Sequence, residues 1–353
     1  MKFDYCIGNP AYNLMSENTS DKPIYNDFMD ESYKIAKKVE LITPARFLFR
    51  AGKTPAKWNE KMLSDEHFKV LEYEPNSKNV FPDLAVPIKG GIAITYRDET
   101  ANFGAINEFA QYNELDGIIN KIKAQCRDFL SDIVYAPESY KFRKELYQER
   151  PDIKDMTYIQ KGEEKPLISK GHDYDLTTNI LDKLSGIIFF DDKDGLDNPL
   201  QIFGRKDNSR KIMWIKNNYI ESHPNLYKYK VFLPKTNGSG TFGEVLTKPE
   251  VGMPKVGHTQ TFISIGAFGT EYEAESLVKY LSTKFARALL DVFKVTQDNK
   301  KGVWKLVPLL NFSQSSDIDW SKSIHDIDQQ LYRKYGLSEQ EIEFIESHVK
   351  EMD

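Results

Sequence analysis

The sequence predicts an α/β protein, with a mainly parallel, helix-covered sheet at its amino end and an α+β half behind it. Three observations lead there. Strand and helix patterns alternate from residue 3 to 98; short strand-like runs fill 186–266; and a polar stretch rich in turn residues separates the two. At 353 residues the chain is long enough for more than one core.

The first element is an apolar strand, Phe3 to Ile7, stopped by Gly8 and Pro10. An amphipathic helix follows over Pro23 to Lys38, with Ile24, Phe28, Tyr33 and Ile35 on its stripe. Val39 to Thr43 reads as a strand ended by Pro44, Trp58 to Leu63 as a helix, Phe68 to Tyr73 as a strand. Gly90-Gly91 punctuates a last strand, Ile92 to Asp98. Glu108 to Tyr147 looks helical, and Arg150 to Asp175 reads as a linker. Beyond it come strand-like runs at Gly186–Phe190, Lys211–Ile215, Tyr229–Pro234 and Thr259–Gly266, then one long helix, Glu271 to Leu290. The tail from Ser321 is acidic and helical. It breaks at Gly336 and restarts at Ser338, which forms a capping-box pattern with Glu341. The expected domains are 1–125, a segment and linker over 126–180, a third unit over 181–315, and terminal helices over 316–353.

Charge is uneven. Residues 200–310 hold 17 Lys and Arg against 9 Asp and Glu, a local charge of +8, while the whole chain carries −5. A basic block in an acidic chain is the footprint of a polyanion surface, or of a solvated face that favours lysine. No apolar run could span a bilayer, and the start lacks the order of a signal peptide, so the expected location is cytoplasmic. Cys6 and Cys126 are too few for a disulfide framework, and the six histidines show no metal-ligand spacing, so no metal site is expected.

The chemistry lies in Asn9-Pro10-Ala11-Tyr12, at the carboxyl end of an apolar strand, where open α/β sheets place reacting groups. The Asn9 carboxamide oxygen and the Pro10 carbonyl can converge on one amino group. Proline fixes φ and removes a competing donor. A tyrosine two residues on offers a face for an unstacked base.

This stretch resembles the Asn-Pro-Pro-Tyr motif of S-adenosylmethionine-dependent DNA adenine methyltransferases of type II and type IIG restriction–modification systems. The resemblance continues through Val39–Phe49, Trp58–Leu63, Val80–Asp83 and Ile88–Asp98. The segments Lys235–Leu246, Gly257–Leu290 and Ser316–Ile324 look like the family's target-recognition half. It implies a partial Rossmann-like methyltransferase sheet over 1–125, an α+β target-recognition domain over 181–315, and a C-terminal helical tail. By the same resemblance, Asn9 and Pro10 would orient the amine of a flipped adenine, Tyr12 would stack on it, and transfer would be direct. Ala11 stands where the family has a second proline, which loosens the turn.

In this family the methyl donor sits on a glycine-rich loop ahead of the Asn-Pro motif, and only eight residues precede Asn9. The cofactor-binding residues are therefore unassigned. A permuted donor loop at Gly238–Gly243, formally G-x-G-x-x-G, is disfavoured because Pro249 and Pro254 replace the helix that should follow. That loop reads better as touching DNA phosphate through its backbone amides. If Phe3–Ile7 is the family's fourth strand, it lacks a neighbour, so the expected partners are double-stranded DNA and a second polypeptide carrying the donor-binding half, or a homodimer contact.

Lys235, Asn237, Ser239, Lys255, His258, Thr259 and Gln260 are the candidate DNA-contacting groups, short polar or basic residues near the glycine loop. Two alternatives stand beside the methyltransferase. One is a recognition module without chemistry, a split or decayed methylase. The other is a magnesium nuclease using Asp152, Glu163 and Lys165, in loose PD…ExK order but with no strand expected under Glu163.

Overall fold

A computed structural model describes residues 2–14, 22–160 and 162–352. The amino-terminal body is a four-stranded sheet. Its strands are β1 (Phe3–Gly8), β2 (Ala36–Pro44), β3 (Phe68–Glu74) and β4 (Ile92–Asp98), in the order β1-β2-β4-β3. Only β1 and β2 pair in parallel; β4 runs against both β2 and β3. The expected mainly parallel ladder is therefore corrected to a mixed one. Three strands do point the same way, but the glycine pair before β4 turns the chain back and inserts it between β2 and β3.

Helices α1 (Tyr25–Ile35) and α2 (Ala56–Leu63) pack on one face of this sheet. Tyr25, Met29, Phe47, Trp58 and Met62 meet Val39, Leu41 and Phe68 in a single core. Phe47 lies edge-on to Trp58, their ring centroids 5.3 Å apart. On the outer strand Phe3, Tyr5 and Ile7 are 70%, 62% and 74% exposed. Alternate residues of a strand share a face, so these three form an apolar stripe on a strand whose other edge is unpaired among the described residues. The expected α1 is shortened: Ala36 to Lys38 join β2, because Ala36 is buried against the core as the first strand residue.

The helix expected over Glu108 to Tyr147 is confined to α3 (Asn113–Gln125) and a short helix, Lys144–Glu149. Leu115, Ile118 and Ile122 of α3 pack with the carboxyl-terminal helices, so the first body ends before α3 and not at residue 125. The stretch read as a linker also folds. Ile153, Leu167, Ile168 and Leu176 enter a second core with Tyr140, Phe142, Phe189 and Ile202. Gly186–Phe190, expected as a strand, forms only isolated bridges.

Strands β5 (Pro199–Lys206) and β6 (Ser209–Lys216) make an antiparallel hairpin, and β5 also pairs with β9 (Val256–His258). A second sheet is built on β7 (Tyr229–Pro234), flanked by β8 (Glu250–Gly252) and β10 (Phe262–Phe268). The long helix expected next is two helices, α4 (Glu271–Ser282) and α5 (Lys284–Asp291). Thr283 leaves helical geometry between them, with ψ 148°, and its side chain caps α5 through the Ala286 amide. Helices α6 (Ile324–Tyr335) and α7 (Glu339–His348) bury Leu331, Tyr335, Phe344 and Ile345 in the largest core. The capping box expected at Ser338 and Glu341 forms.

Register fixes where the site lies. Gly8 pairs with Leu41, and Pro44 and Glu74 both pair with Ile92. The carboxyl ends of β1, β2 and β3 and the turn into β4 therefore line one end of the sheet. Gly91 makes that turn at φ +76°, where an added Cβ would lie 2.4 Å from the Glu74 carbonyl oxygen. Gly91→Ala is expected to lower the urea midpoint by a stability loss of about 2–4 kcal/mol. Gly104→Ala, at φ +79° with nothing within 4 Å, should lose only about 1–2 kcal/mol.

Candidate active site

Asn9 leaves β1 at this carboxyl end and is exposed, and its carboxamide has no hydrogen-bond partner among the described residues. Pro10 is half-buried and Ala11 exposed. Tyr12 anchors the turn: its carbonyl accepts from the Ile24 amide at 3.0 Å, and its ring packs on the first core. The Tyr12 hydroxyl is buried without a partner among the described residues, and burial pushes it up to about 12. Asn26 Oδ1 and Thr43 Oγ1, near the same sheet end in sequence and register, are likewise buried and unpartnered. Buried polar atoms are normally paired, and these three have no partner among the described residues.

Across the sheet end lies a cleft of about 620 Å³. Tyr73, Asn76, Lys89 and Gly90 line one side of it, and Ser239 and Phe242 of the glycine loop line the other. With strands about 4.8 Å apart, three spacings separate β1 from β3, so the Asn9 turn stands roughly 14 Å along the sheet end from this cleft.

The glycine loop itself is spoken for. The Glu244 carboxylate accepts from the Ser239 amide at 2.9 Å and the Gly240 amide at 2.8 Å, and Asp291 accepts from the Gly243 amide at 2.8 Å. Buried Lys294 neutralises Glu244 at 3.3 Å. The loop's amides thus face the chain's own carboxylates. This corrects the expectation that they hold DNA phosphate, and it leaves no cradle for a donor's carboxylate there.

The other sequence candidates scatter. Ser239 and Lys255 are exposed, and Lys235 and Gln260 are half-buried. Asn237, His258 and Thr259 are buried and cannot meet DNA as expected. Asn237 instead braces the loop, accepting from the Thr247 amide. Asp152 is paired with Arg150, and Glu163 with Lys165. Glu163 does stand on a strand, Glu163–Pro166, contrary to expectation. Among the described residues no group of three or more His, Cys, Asp or Glu could hold a metal ion.

The sequence reading missed a buried polar network between the two later sheets. The Tyr140 hydroxyl donates to Asn225 Oδ1, and Asn225 Nδ2 donates to Ser264 Oγ at 3.0 Å. His258 Nδ1 lies 2.9 Å from the Thr259 carbonyl, which only accepts, so Nδ1 carries the proton and Nε2 accepts from Ser264 Oγ at 3.1 Å. Separations of 39 and 85 residues within the network hid it from local pattern.

The amino-terminal body is a mixed sheet with an Asn-Pro turn at the carboxyl end of its edge strand. The Eco57I restriction-modification methylase family model matches residues 1–81, so this stretch is similar to that family. A Mycoplasma pneumoniae protein described as an uncharacterized adenine-specific methylase is 26% identical over 159 residues, 42% of this chain and 36% of the relative. The match thus spans about a third of that relative's length. The type IIG restriction endonuclease BpuSI aligns over 93% of this chain and 48% of its own, at 11% identity and a TM-score of 0.29, a superposition too loose to carry an argument. No described helix is long and apolar enough to cross a membrane.

Burial pushes the His258 imidazole down to about 3, with His223 and Lys230 adding repulsion. The unfolded chain therefore takes up this proton first. The group's stabilisation is complete above pH 6.5 and is lost as pH falls toward 3. Between pH 6 and 4, urea unfolding should show wild type losing about 1.4 kcal/mol per pH unit more than His258→Gln. Parallel profiles for the two proteins would contradict this.

Proposed function

We propose that this chain carries the base-holding loop and the target-recognition half of an adenine-specific DNA methyltransferase of a restriction–modification system. One observation carries the reading. The exposed Asn9 carboxamide, without a hydrogen-bond partner among the described residues, and the Pro10 carbonyl stand at the carboxyl end of β1, inside the residues matched by the methylase family. Two convergent acceptors on the exocyclic amine of a flipped adenine would keep its lone pair aimed at the incoming methyl group. Tyr12, half-buried beneath the turn, would supply the stacking face. The later body, across the cleft from the sheet end, would hold the duplex.

S-adenosylmethionine, the family's usual donor, supplies the methyl group when bound. The glycine-rich loop at Gly238–Gly243 does not fit it, because Glu244 and Asp291 occupy its amides. A donor-binding body would dock on the open edge of β1. There Phe3, Tyr5 and Ile7 offer apolar contact and the outward backbone groups offer a strand ladder.

The test is adenine methylation of chromosomal DNA in cells carrying the native chain or Asn9→Ala in its natural genomic setting. Loss of one oriented acceptor should cut the N6-methyladenine signal by about 100-fold or more, with the purified variant unfolding as the native chain does. A signal that survives contradicts the assignment of Asn9. Absence of the signal in native cells, with duplex binding intact, supports the recognition-only reading, which Ala11 and the open edge favour.

A further inference from the structure

Five of the seventeen Lys and Arg of the basic block lie on one hairpin. Strands β5 and β6 form an eight-residue-a-side hairpin closed by Asp207-Asn208, at φ +51° and +62°. Two consecutive positive-φ residues give a tight turn whose twist matches the strands. Its base is fixed: Leu200, Ile202, Met213 and Ile215 are in the second core, and Phe203 stacks on Phe262 at 4.2 Å. Near its tip Ser209, Arg210, Lys211 and Ile212 are all exposed.

The tip reads Arg205-Lys206-Asp207-Asn208-Ser209-Arg210-Lys211. Arg205 pairs in register with Arg210, so two guanidinium groups stand opposite each other on one face of the ribbon. Like charges across a ladder are destabilising, and an anion between them would relieve the repulsion. Arg210 meets Glu250, and Lys211 meets Asp191, which also feels the Lys206 charge; among the described residues no ion pair forms with Arg205. Arg205 donates to Asn208 Oδ1, at 3.0 Å. Asp207 is tied at its amide to Asp182.

We infer that this hairpin enters the major groove of double-stranded DNA and reads it. The inference rests on the methyltransferase reading and names the element that would select its target. A two-stranded ribbon fits a groove about 12 Å wide. Arginine offers paired donors to guanine, asparagine pairs with adenine, and lysine finds phosphate. The seven tip residues include no aromatic side chain, so the stacking platform needed to hold single strands is missing from it. Arg205 and Asn208 face the base edges, and Lys206 tracks the backbone.

The experiment measures anisotropy of labelled random-sequence duplexes and single strands against the full chain across salt concentrations. Arg205→Ala/Lys206→Ala is compared with wild type, with thermal unfolding as the folding control. The double variant should bind duplex at least about tenfold more weakly, and the slope of log affinity against log salt should shrink by about one or two. Single-strand binding should be weak in both proteins and unchanged by the substitutions. Wild-type duplex binding that the double variant retains in full overturns the hairpin assignment alone. Equal losses on single and double strands overturn groove reading. Wild type with no duplex affinity overturns the methyltransferase reading on which the inference rests.

Discussion

Everything in the amino-terminal body depends on β4 running against its neighbours. It pairs along its whole length with β2 on one side and β3 on the other. This arrangement brings three carboxyl strand ends and one tight glycine turn to a single rim. The Asn9 turn, the Pro44 corner and the Lys89–Gly91 approach share that rim because of strand direction, not sequence proximity. Apolar packing then covers one face only, so the fourth strand, β1, is held by a single ladder and exposes its remaining edge.

The later body applies a different economy to its polar groups. Glu244, Lys294 and Asp291 close the glycine loop from within, and burial raises the Asp291 carboxyl to about 7 despite Lys294 beside it. Lys230 is also fully buried, donating to the Leu226, Lys228 and Met253 carbonyls. Such groups fix the loop and the junction between sheets instead of displaying charge. The basic surface is therefore smaller than the local charge of +8 suggests, because Lys230 and Lys294 are buried.

Much of the first body was legible because its signals are local. Gly90-Gly91 ahead of the alternating Ile92–Asp98 predicted β4 to the residue, and Pro44 marked the end of β2. The Asn9 turn was found for the same reason. Pairing direction was not legible, since alternation of types does not say which strand lies between which. The segment over 150–175 looked like a linker because its apolar residues, Ile153, Leu167 and Ile168, are widely spaced and meet only in three dimensions. His258 and Asn237 were polar residues whose partners lie far off in sequence or within a loop, so type alone read as surface. The hairpin left a usable mark in Asp207-Asn208 between two apolar-polar runs, but β5 was passed over because its interior Gly204 weakens a strand pattern.

The central claim is that β1 is an open strand edge beside a ready base-holding turn. Amide hydrogen exchange across Phe3–Gly8, on the isolated chain shown to be monomeric by light scattering, tests it most directly. In a parallel ladder alternate amides point inward, so the account predicts two classes: inward amides protected by β2 and outward amides exchanging near the unprotected rate. Uniform protection of every amide in β1, at the level of Ile92–Asp98, would show the edge already paired and contradict the account.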